Sequence, residues 1–187
     1  MATAVEICNG AFDLLGSRTI AALTDDSKEG RLATRLYANT RDEVLRAHPW
    51  NFALTRAALT ADATPPAWGF VYRYALPAAC LRLLNLDGAN FEVWRVEGRW
   101  LLTDVGSPVN VLYVASVADT SVFDPMFVSA LEAALAAKMA YPLAGSRELM
   151  LQMTQLFQAR LALARSMDAI ENGLDIVESP VLLDARL

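Results

Sequence analysis

The spacing of apolar residues changes twice along this chain, and that change constrains the fold more than any other feature. Before residue 50 and after residue 124 apolar residues recur at helical intervals, whereas between about 60 and 117 they recur at the two-residue interval of strands. Every helix and sheet has an apolar side to bury, so the helices on both sides of the strands must pack together. The sequence therefore predicts an α+β fold, an antiparallel helical bundle with an inserted small antiparallel β lobe.

The first two predicted helices have recognisable ends. Gly16 follows the first apolar face at the position of a left-handed C-terminal cap. The second helix begins in the cluster at 24–27, whose side chains suit N-capping, and ends at Pro49, because proline disfavours helical geometry in the residue before it. The apolar face predicted for the first helix consists of Val5, Cys8, Phe12 and Leu15.

Two further helices are predicted after the strands. Asp124 is a suitable cap with Pro125 as the first helical residue, and Pro142 is expected to end that helix. Ser146 can cap the last helix, which is predicted to end at residues 172–173, an Asn-Gly pair. Its apolar face is predicted to consist of Met150, Met153, Phe157, Leu161, Ala164 and Met167.

The β lobe is predicted to contain about four or five strands. Strand-like runs lie around Tyr72, at 91–96, at 100–102 and at 111–114, and Gly-containing turns separate them. The best hairpin candidate is the break at Glu97-Gly98 between two apolar runs.

The end of the chain forms a separate apolar tail. The predicted organisation is residues 1–59 and 119–173 as the helical bundle, 60–118 as the inserted lobe and 174–187 as an extended docking tail. Composition alone leaves two destinations open for the tail, the chain's own core or a partner. The residues expected to dock are Leu174, Ile176, Val177, Pro180, Val181, Leu182, Leu183 and Leu187.

Composition excludes several classes of protein. A hydrophobic content of 55% is too high for a disordered chain, and a net charge of −5 does not suit phosphate binding by the chain as a whole. The N-terminus lacks the pattern of a signal peptide, and no uninterrupted apolar run reaches the ~18 residues of a membrane span. Cys8 and Cys80 are far apart, so neither a metal site nor a disulfide framework is predicted, and a reducing cytoplasm is expected.

The only histidine, His48, is the first candidate for catalysis. No nucleophile is placed beside it by the sequence, and the last turn of a helix already provides carbonyl partners for an imidazole. Asp25 and Asp26 are interpreted as capping groups, since no further ligands follow at metal-binding spacing. Phosphate-binding and dinucleotide motifs are absent. We therefore predict neither an enzyme nor a bound cofactor.

Arginines on the second helix support an alternative, a small helical module that binds nucleic acid or regulates. Acidic residues are interleaved with them, which favours a solvated face with intrahelical ion pairs. The arginines concerned are Arg31, Arg35, Arg41, Arg46 and, further along, Arg56.

Five segments carry a resemblance to a known family. Residues 9–16 read NGAFDLLG, 20–23 read IAAL, 74–78 read YALPA and 167–173 read MDAIENG. The most distinctive segment runs from Arg41 and Asp42 into His48, Pro49, Trp50, Asn51 and Phe52. Taken in chain order, the five segments resemble the head-to-tail adaptor (head-tail connector) proteins of tailed bacteriophages, the family that includes tail tubular protein A of short-tailed phages. Many members have an acidic residue where this chain has Ala79, and residues 92–119 match nothing in the family.

The resemblance implies a structural role in the virion. Such adaptors form a dodecameric ring beneath the portal protein, extend the DNA channel and offer the surface to which the tail attaches. Their C-terminal segments dock on the portal, which gives residues 174–187 a role, and the β lobe would face the next tail component, a nozzle or tail tube. Genomic DNA would pass through the lumen without specific binding, which a negative net charge suits. The expected location is the head-tail junction, after assembly in the host cytoplasm and without a membrane.

Overall fold

The computed structural model describes residues 2–87 and 93–171 and has a mixed α+β fold. Its described elements are four helices, two small antiparallel sheets and two short 3₁₀ turns at Asn51–Ala53 and Thr120–Val122. The helices are α1 (Ala4–Leu15), α2 (Lys28–Ala47), α3 (Pro125–Ala144) and α4 (Arg147–Glu171). The strands are β1 (Leu54–Leu59), β2 (Tyr72–Ala75), β3 (Cys80–Leu86), β4 (Trp94–Glu97), β5 (Trp100–Thr103) and β6 (Val109–Ala115).

The predicted starts of helices α2, α3 and α4 are confirmed. Ser27 accepts a hydrogen bond from the Gly30 backbone N–H, and Asp124 accepts from two N–H groups of the first turn of α3. Ser146 Oγ accepts from Leu149 N at 3.1 Å. Such side chains satisfy backbone donors that have no partner inside the helix.

Two of the predicted helix ends are confirmed and one is wrong. Gly16 ends α1 at a φ of 63°, a left-handed conformation that glycine adopts without steric cost, and α2 ends at His48, before Pro49. By contrast, α3 continues through Pro142 to Ala144. Pro142 lies in the last turn, where a proline disturbs few further hydrogen bonds, and the N–H of Gly145 closes the helix by donating to Tyr141 O.

The strands form two sheets of three rather than a single set of four or five. One sheet has the order β1-β6-β3 and the other β2-β5-β4, and all the pairs are antiparallel. The predicted hairpin at Glu97-Gly98 is confirmed, because Glu97 pairs with Trp100 and Gly98 has a φ of 58°. Glycine is favoured at a loop position of a two-residue hairpin that needs a positive φ.

The strand prediction missed β1 and β3, which both pair with β6. Because β1 begins at Leu54, the strand region starts before the predicted residue 60. Of the predicted run at 91–96, residues 94–96 belong to β4. Residues 88–92 lie outside the described part of the chain.

Helix α3 lies at the centre of the helical part and packs against α1, α2 and α4. It is the one helix among the described residues with the length and composition to cross a membrane, and burial between the other helices accounts for its apolar character. Val114 of β6 joins this helical core, while Val111 and Tyr113, from the same strand, belong to a second core between the two sheets. Alternate residues of β6 therefore connect the helices to the lobe.

Both cysteines lie in these cores. Cys8 is fully buried, and burial raises the pKa of its thiol to about 12. Cys80 is 4% exposed, and its pKa is raised chiefly by burial, against the opposing effect of nearby arginines. The thiolate is the reactive form, so both side chains should be inert at neutral pH.

We expect the native protein to react with a thiol reagent at pH 8 at least ~100-fold more slowly than the unfolded protein, because both access and thiolate fraction are reduced. The measurement is the rate of chromophore release from an aromatic disulfide reagent, with and without denaturant. Val122→Cys is the control, since that position is 46% exposed and should react within the mixing time of a manual assay. Rapid reaction of two thiols in the native protein would contradict the packing around Cys8 and Cys80.

Candidate functional site

The segment that follows α2 meets the last turns of α4. His48 Nε2 lies 3.0 Å from Asp168 Oδ2, and the Asn51 backbone N–H donates to Asp168 Oδ1 at 3.0 Å. The Asn51 side-chain amide donates to the Asp168 backbone carbonyl at 2.9 Å. His48 and Asn51 lie 120 and 117 positions before Asp168 in the chain. We call these three residues the α2–α4 junction.

Hydrogen bonds explain why a carboxylate can be buried at this junction. Asp168 is only 6% exposed, and a buried carboxylate is stable only when its oxygens are well hydrogen-bonded. An ionised carboxylate only accepts hydrogen bonds, so with Asp168 in that form Nε2 of His48 is the donor. Nearby, Arg165 donates to the Ala47 carbonyl at 2.9 Å and satisfies a free acceptor at the end of α2.

Trp50 anchors the same segment in the core. Its side chain is fully buried, and its indole N–H donates to the Val44 carbonyl at 3.0 Å. The ring makes an edge-to-face contact with Phe127 of α3 at 5.1 Å and stacks at 6.2 Å on Phe52. The aromatic pair after Pro49 therefore connects the end of α2 to α3.

Arg41 and Asp42, the other residues of the distinctive segment, connect α2 to the end of β6. Arg41 Nε donates to Asp42 Oδ1 at 2.9 Å, and its Nη2 donates to Ser116 Oγ at 3.2 Å. The Ser116 hydroxyl in turn donates to Asp42 Oδ1 at 2.9 Å. The arginine side chain is 12% exposed, so this closed set of hydrogen bonds is largely shielded from water.

The junction offers half of a catalytic arrangement. A carboxylate that orients a histidine is common in hydrolases, but the chemistry also needs a nucleophile within hydrogen-bonding distance of the ring. Over residues 2–87 and 93–171, no Ser, Thr or Cys side chain makes a hydrogen bond with His48. The geometry instead fits a connection between two helices.

The acidic pair at the start of α2 does not cap the helix as predicted. Asp25 accepts from the Ala21 backbone N–H at 2.9 Å and so closes the preceding loop, and Asp26 pairs with Arg31. The capping prediction for these two carboxylates is wrong because Ser27 occupies the cap position. Among the described residues, no three His, Cys, Asp or Glu side chains come together in a way that could hold a metal ion.

The arginines of the nucleic-acid alternative are dispersed. Arg46 donates to the Leu81 carbonyl, and Arg41 is committed to Asp42 and Ser116. Arg56 lines one surface depression, whereas Arg31 and Arg35 line another together with Lys28, and Arg31 pairs with Asp26. A surface that follows a phosphate backbone needs several cations on one face, and of these five arginines only Arg31 and Arg35 share a depression.

Sequence reasoning missed Asp168, although a signal was present. Asp168 lies four positions after Ala164, and it takes the inward position that the prediction gave to Met167, which is 46% exposed. A carboxylate on the apolar face of a predicted helix indicates a buried partner elsewhere in the chain. His48, the single histidine, was the natural candidate.

Known proteins add no independent assignment to this geometry. No protein-family model matches the chain, and no curated protein matches it.

Proposed function

We propose that this chain is a structural virion protein, a head-to-tail adaptor subunit that forms a dodecameric ring under the portal. The ring extends the DNA channel and provides the attachment surface for the next tail component. In this proposal the four helices act as the bundle of the subunit, the strands form the inserted lobe that faces the tail, and residues 174–187 dock on the portal. The docking residues lie outside the described part of the chain.

One observation carries the proposal: segments that resemble the adaptor family contact one another. His48 and Asn51, in the most distinctive of these segments, contact Asp168, in the segment that begins at Met167, at the α2–α4 junction. Residues 9–16 meet residues 20–23 through Asn9, whose side chain exchanges two hydrogen bonds with the Ile20 backbone at 2.9 and 2.8 Å. The first pair carries the weight, because its members lie 117 and 120 positions apart in the chain and a shared fold accounts for their contact.

The use of the distinctive residues also supports a structural role. His48, Trp50 and Asn51 connect helices, and Arg41 with Asp42 connects α2 to a strand. The polar atoms of these residues form hydrogen bonds within the fold, so few of them remain to bind a substrate. Arg41 and Arg46 of α2 bind groups of the protein itself and so give the nucleic-acid module less support.

Docking of the tail has a simple energetic basis. An apolar segment that orders on the portal buries surface worth about 25 cal/mol per Å², which must exceed the entropy lost on ordering. Repetition around a ring multiplies weak individual contacts through avidity. Each tail can therefore bind weakly while the ring holds firmly.

We expect the full chain to bind its cognate portal as a ring and a chain that ends at Gly173 to bind at least ~100-fold more weakly, because the loss is repeated in every subunit. Light scattering of each protein, alone and mixed with the portal, gives the stoichiometry. A full-length Leu182→Asp, Leu183→Asp variant is the matched control: it should behave like the truncation if apolar contacts matter. If the full chain ignores the portal and instead binds DNA with a steep salt dependence, the nucleic-acid alternative replaces this proposal.

A further inference from the structure

Three arginines from different parts of the fold line one surface depression. It lies where the end of α2, strand β3 and the β4–β5 hairpin meet, and its volume is about 350 Å³. The arginines are Arg46, Arg82 and Arg99. Among the described residues, no acidic side chain lines this depression, and none of the three arginines takes part in an ion pair. We call this site the arginine depression.

Backbone carbonyls hold two of the guanidinium groups in place. Arg99 Nη1 donates to the Cys80 carbonyl at 2.9 Å, and Arg46 donates to the carbonyl of the next residue, Leu81. Burial raises the pKa of the Cys80 thiol, and the charges of Arg99 and Arg46 oppose that shift, so both charges lie close to the sulfur. Carbonyls are neutral partners, and a guanidinium has five N–H donors. The two arginines are therefore positioned without losing their charge.

Arg82, the third member, has a donor to spare. Its Nε is buried and has no hydrogen-bond partner among the described residues. Buried polar groups in proteins are nearly always hydrogen-bonded, and a planar guanidinium is suited to a carboxylate or a phosphate. An oxyanion that pairs with Arg82 would supply the acceptor and balance the positive charge.

The rest of the lining indicates which kind of anion fits. Apolar side chains lie among the arginines, namely Leu76, Leu81, Leu83 and Val96, the last of which is 40% exposed. A phosphate group gains little from such a surface, whereas a peptide with carboxylates beside apolar side chains uses both features. Convergence on one depression also differs from a row of cations that follows a nucleic-acid backbone. The site therefore favours an acidic, apolar peptide.

A peptide of this kind follows α4 in the same chain. Residues 174–187 carry Asp175, Glu178 and Asp184 among their apolar residues, against one basic residue, Arg186. The segment also starts close to the site: α4 ends at Glu171, three residues after the α2–α4 junction, and Arg46 lies in the last turn of α2. The 16 residues after Glu171 can span up to ~53 Å at ~3.3 Å per residue. Charge, apolar content and reach all suit this occupant.

We infer that residues 174–187 dock in the arginine depression of their own chain when no portal is bound. Carboxylates of the tail pair with the arginines, and its apolar side chains cover the leucines between them. Because the tail is attached to the fold, its effective concentration is high and weak pairing is sufficient. The contact is independent of the proposed adaptor function, which would require the tail to leave the depression for the portal.

Carbodiimide coupling of the full chain tests this contact. The reagent joins a lysine amine to a carboxylate that touches it, and the two native lysines, Lys28 and Lys138, lie outside the arginine depression. In Arg99→Lys and in Arg46→Lys, the new amine should couple to a carboxylate of residues 174–187. The product should be a monomer, and its yield should not depend on protein concentration. Mass spectrometry of proteolytic fragments identifies the coupled pair.

Arg95→Lys is the matched control. Arg95 lies on β4 with its side chain 67% exposed, and it lines a different depression. Its coupling to the tail should be at least ~10-fold lower, because the tail is concentrated elsewhere.

Proteolysis gives a second measurement with different variants. A glutamate-specific protease should cut after Glu178 at least ~10-fold faster in an Arg82→Gln, Arg99→Gln protein than in the original, because loss of charge-assisted pairs releases the tail. Arg95→Gln should leave the rate unchanged.

Four results would overturn the inference. They are tail coupling no higher than in the Arg95→Lys control, coupling only between two chains, coupling of the tail to Lys138, and equal cleavage after Glu178 in all three proteins. Coupling between chains assigns the tail to a second copy, and coupling to Lys138 assigns it to the surface between α2, α3 and α4. Portal binding is measured separately by light scattering. A chain that binds the portal without tail coupling refutes only this contact, and one that couples its tail but ignores the portal refutes only the adaptor function.

Discussion

Replacing Trp50 with alanine should lower the free energy of unfolding by about 3–5 kcal/mol, the range found when a large aromatic residue is removed from a core. Trp50 is fully buried, contacts Phe127 at 5.1 Å and donates its indole N–H to the Val44 carbonyl. Alanine would leave a cavity at the end of α2 and remove the partner of that carbonyl. Urea unfolding followed by circular dichroism gives the difference directly.

Trp68→Ala is the matched control, because that side chain is 84% exposed. Its loss should change stability by no more than ~0.5 kcal/mol, the usual range for surface positions. Equal losses for the two tryptophans would contradict the assignment of Trp50 as the anchor of the segment after Pro49.

Replacing Asp168 with alanine should cost about 2–4 kcal/mol. The substitution leaves the partly buried Asn51 N–H and the His48 ring without their acceptor, and each unsatisfied donor costs ~1–3 kcal/mol. The loss should be concentrated at the end of α4. Amide hydrogen exchange of residues 160–171 should therefore accelerate more than exchange in α1, in addition to the drop in global stability.

Asp168→Asn retains one acceptor oxygen and should lose less than alanine does. Glu171→Ala, an exposed position on the same helix, controls for general effects on helix propensity and should change stability by less than ~0.5 kcal/mol. An Asp168→Ala protein as stable as the original would mean that the α2–α4 junction contributes nothing to the fold.

Local chemistry made the helices predictable and left part of the β lobe unpredictable. Ser27, Asp124 and Gly16 act within one turn of the helix that they cap, so adjacent residues contain the relevant information. Strands β1 and β3 read LTRAAL and CLRLLNL, sequences rich in alanine and leucine, which favour helices. They become strands because β6 lies between them and pairs with both, a contact across tens of residues.

The candidate site was half predictable for the same reason. His48 ends α2 and Trp50 anchors the following segment, in agreement with the sequence interpretation. Both roles could be predicted from the proline between the two residues. The hydrogen bond from His48 to Asp168 could not be predicted from the sequence, because it depends on how α4 packs against the end of α2. The two residues lie 120 positions apart in the chain. Periodicity fixes which side of a helix is buried, and only packing fixes what that side meets.

The α2–α4 junction also determines where a pull on the C-terminal end of the chain enters the fold. Asp168 lies six positions before Leu174, the first residue of the proposed docking tail. If residues 174–187 dock as proposed, tension applied to them reaches the junction before it reaches the rest of α4. The hydrogen bonds to His48 and Asn51 would pass this force into α2, so that two helices resist it together and α4 is not peeled away from α3 turn by turn.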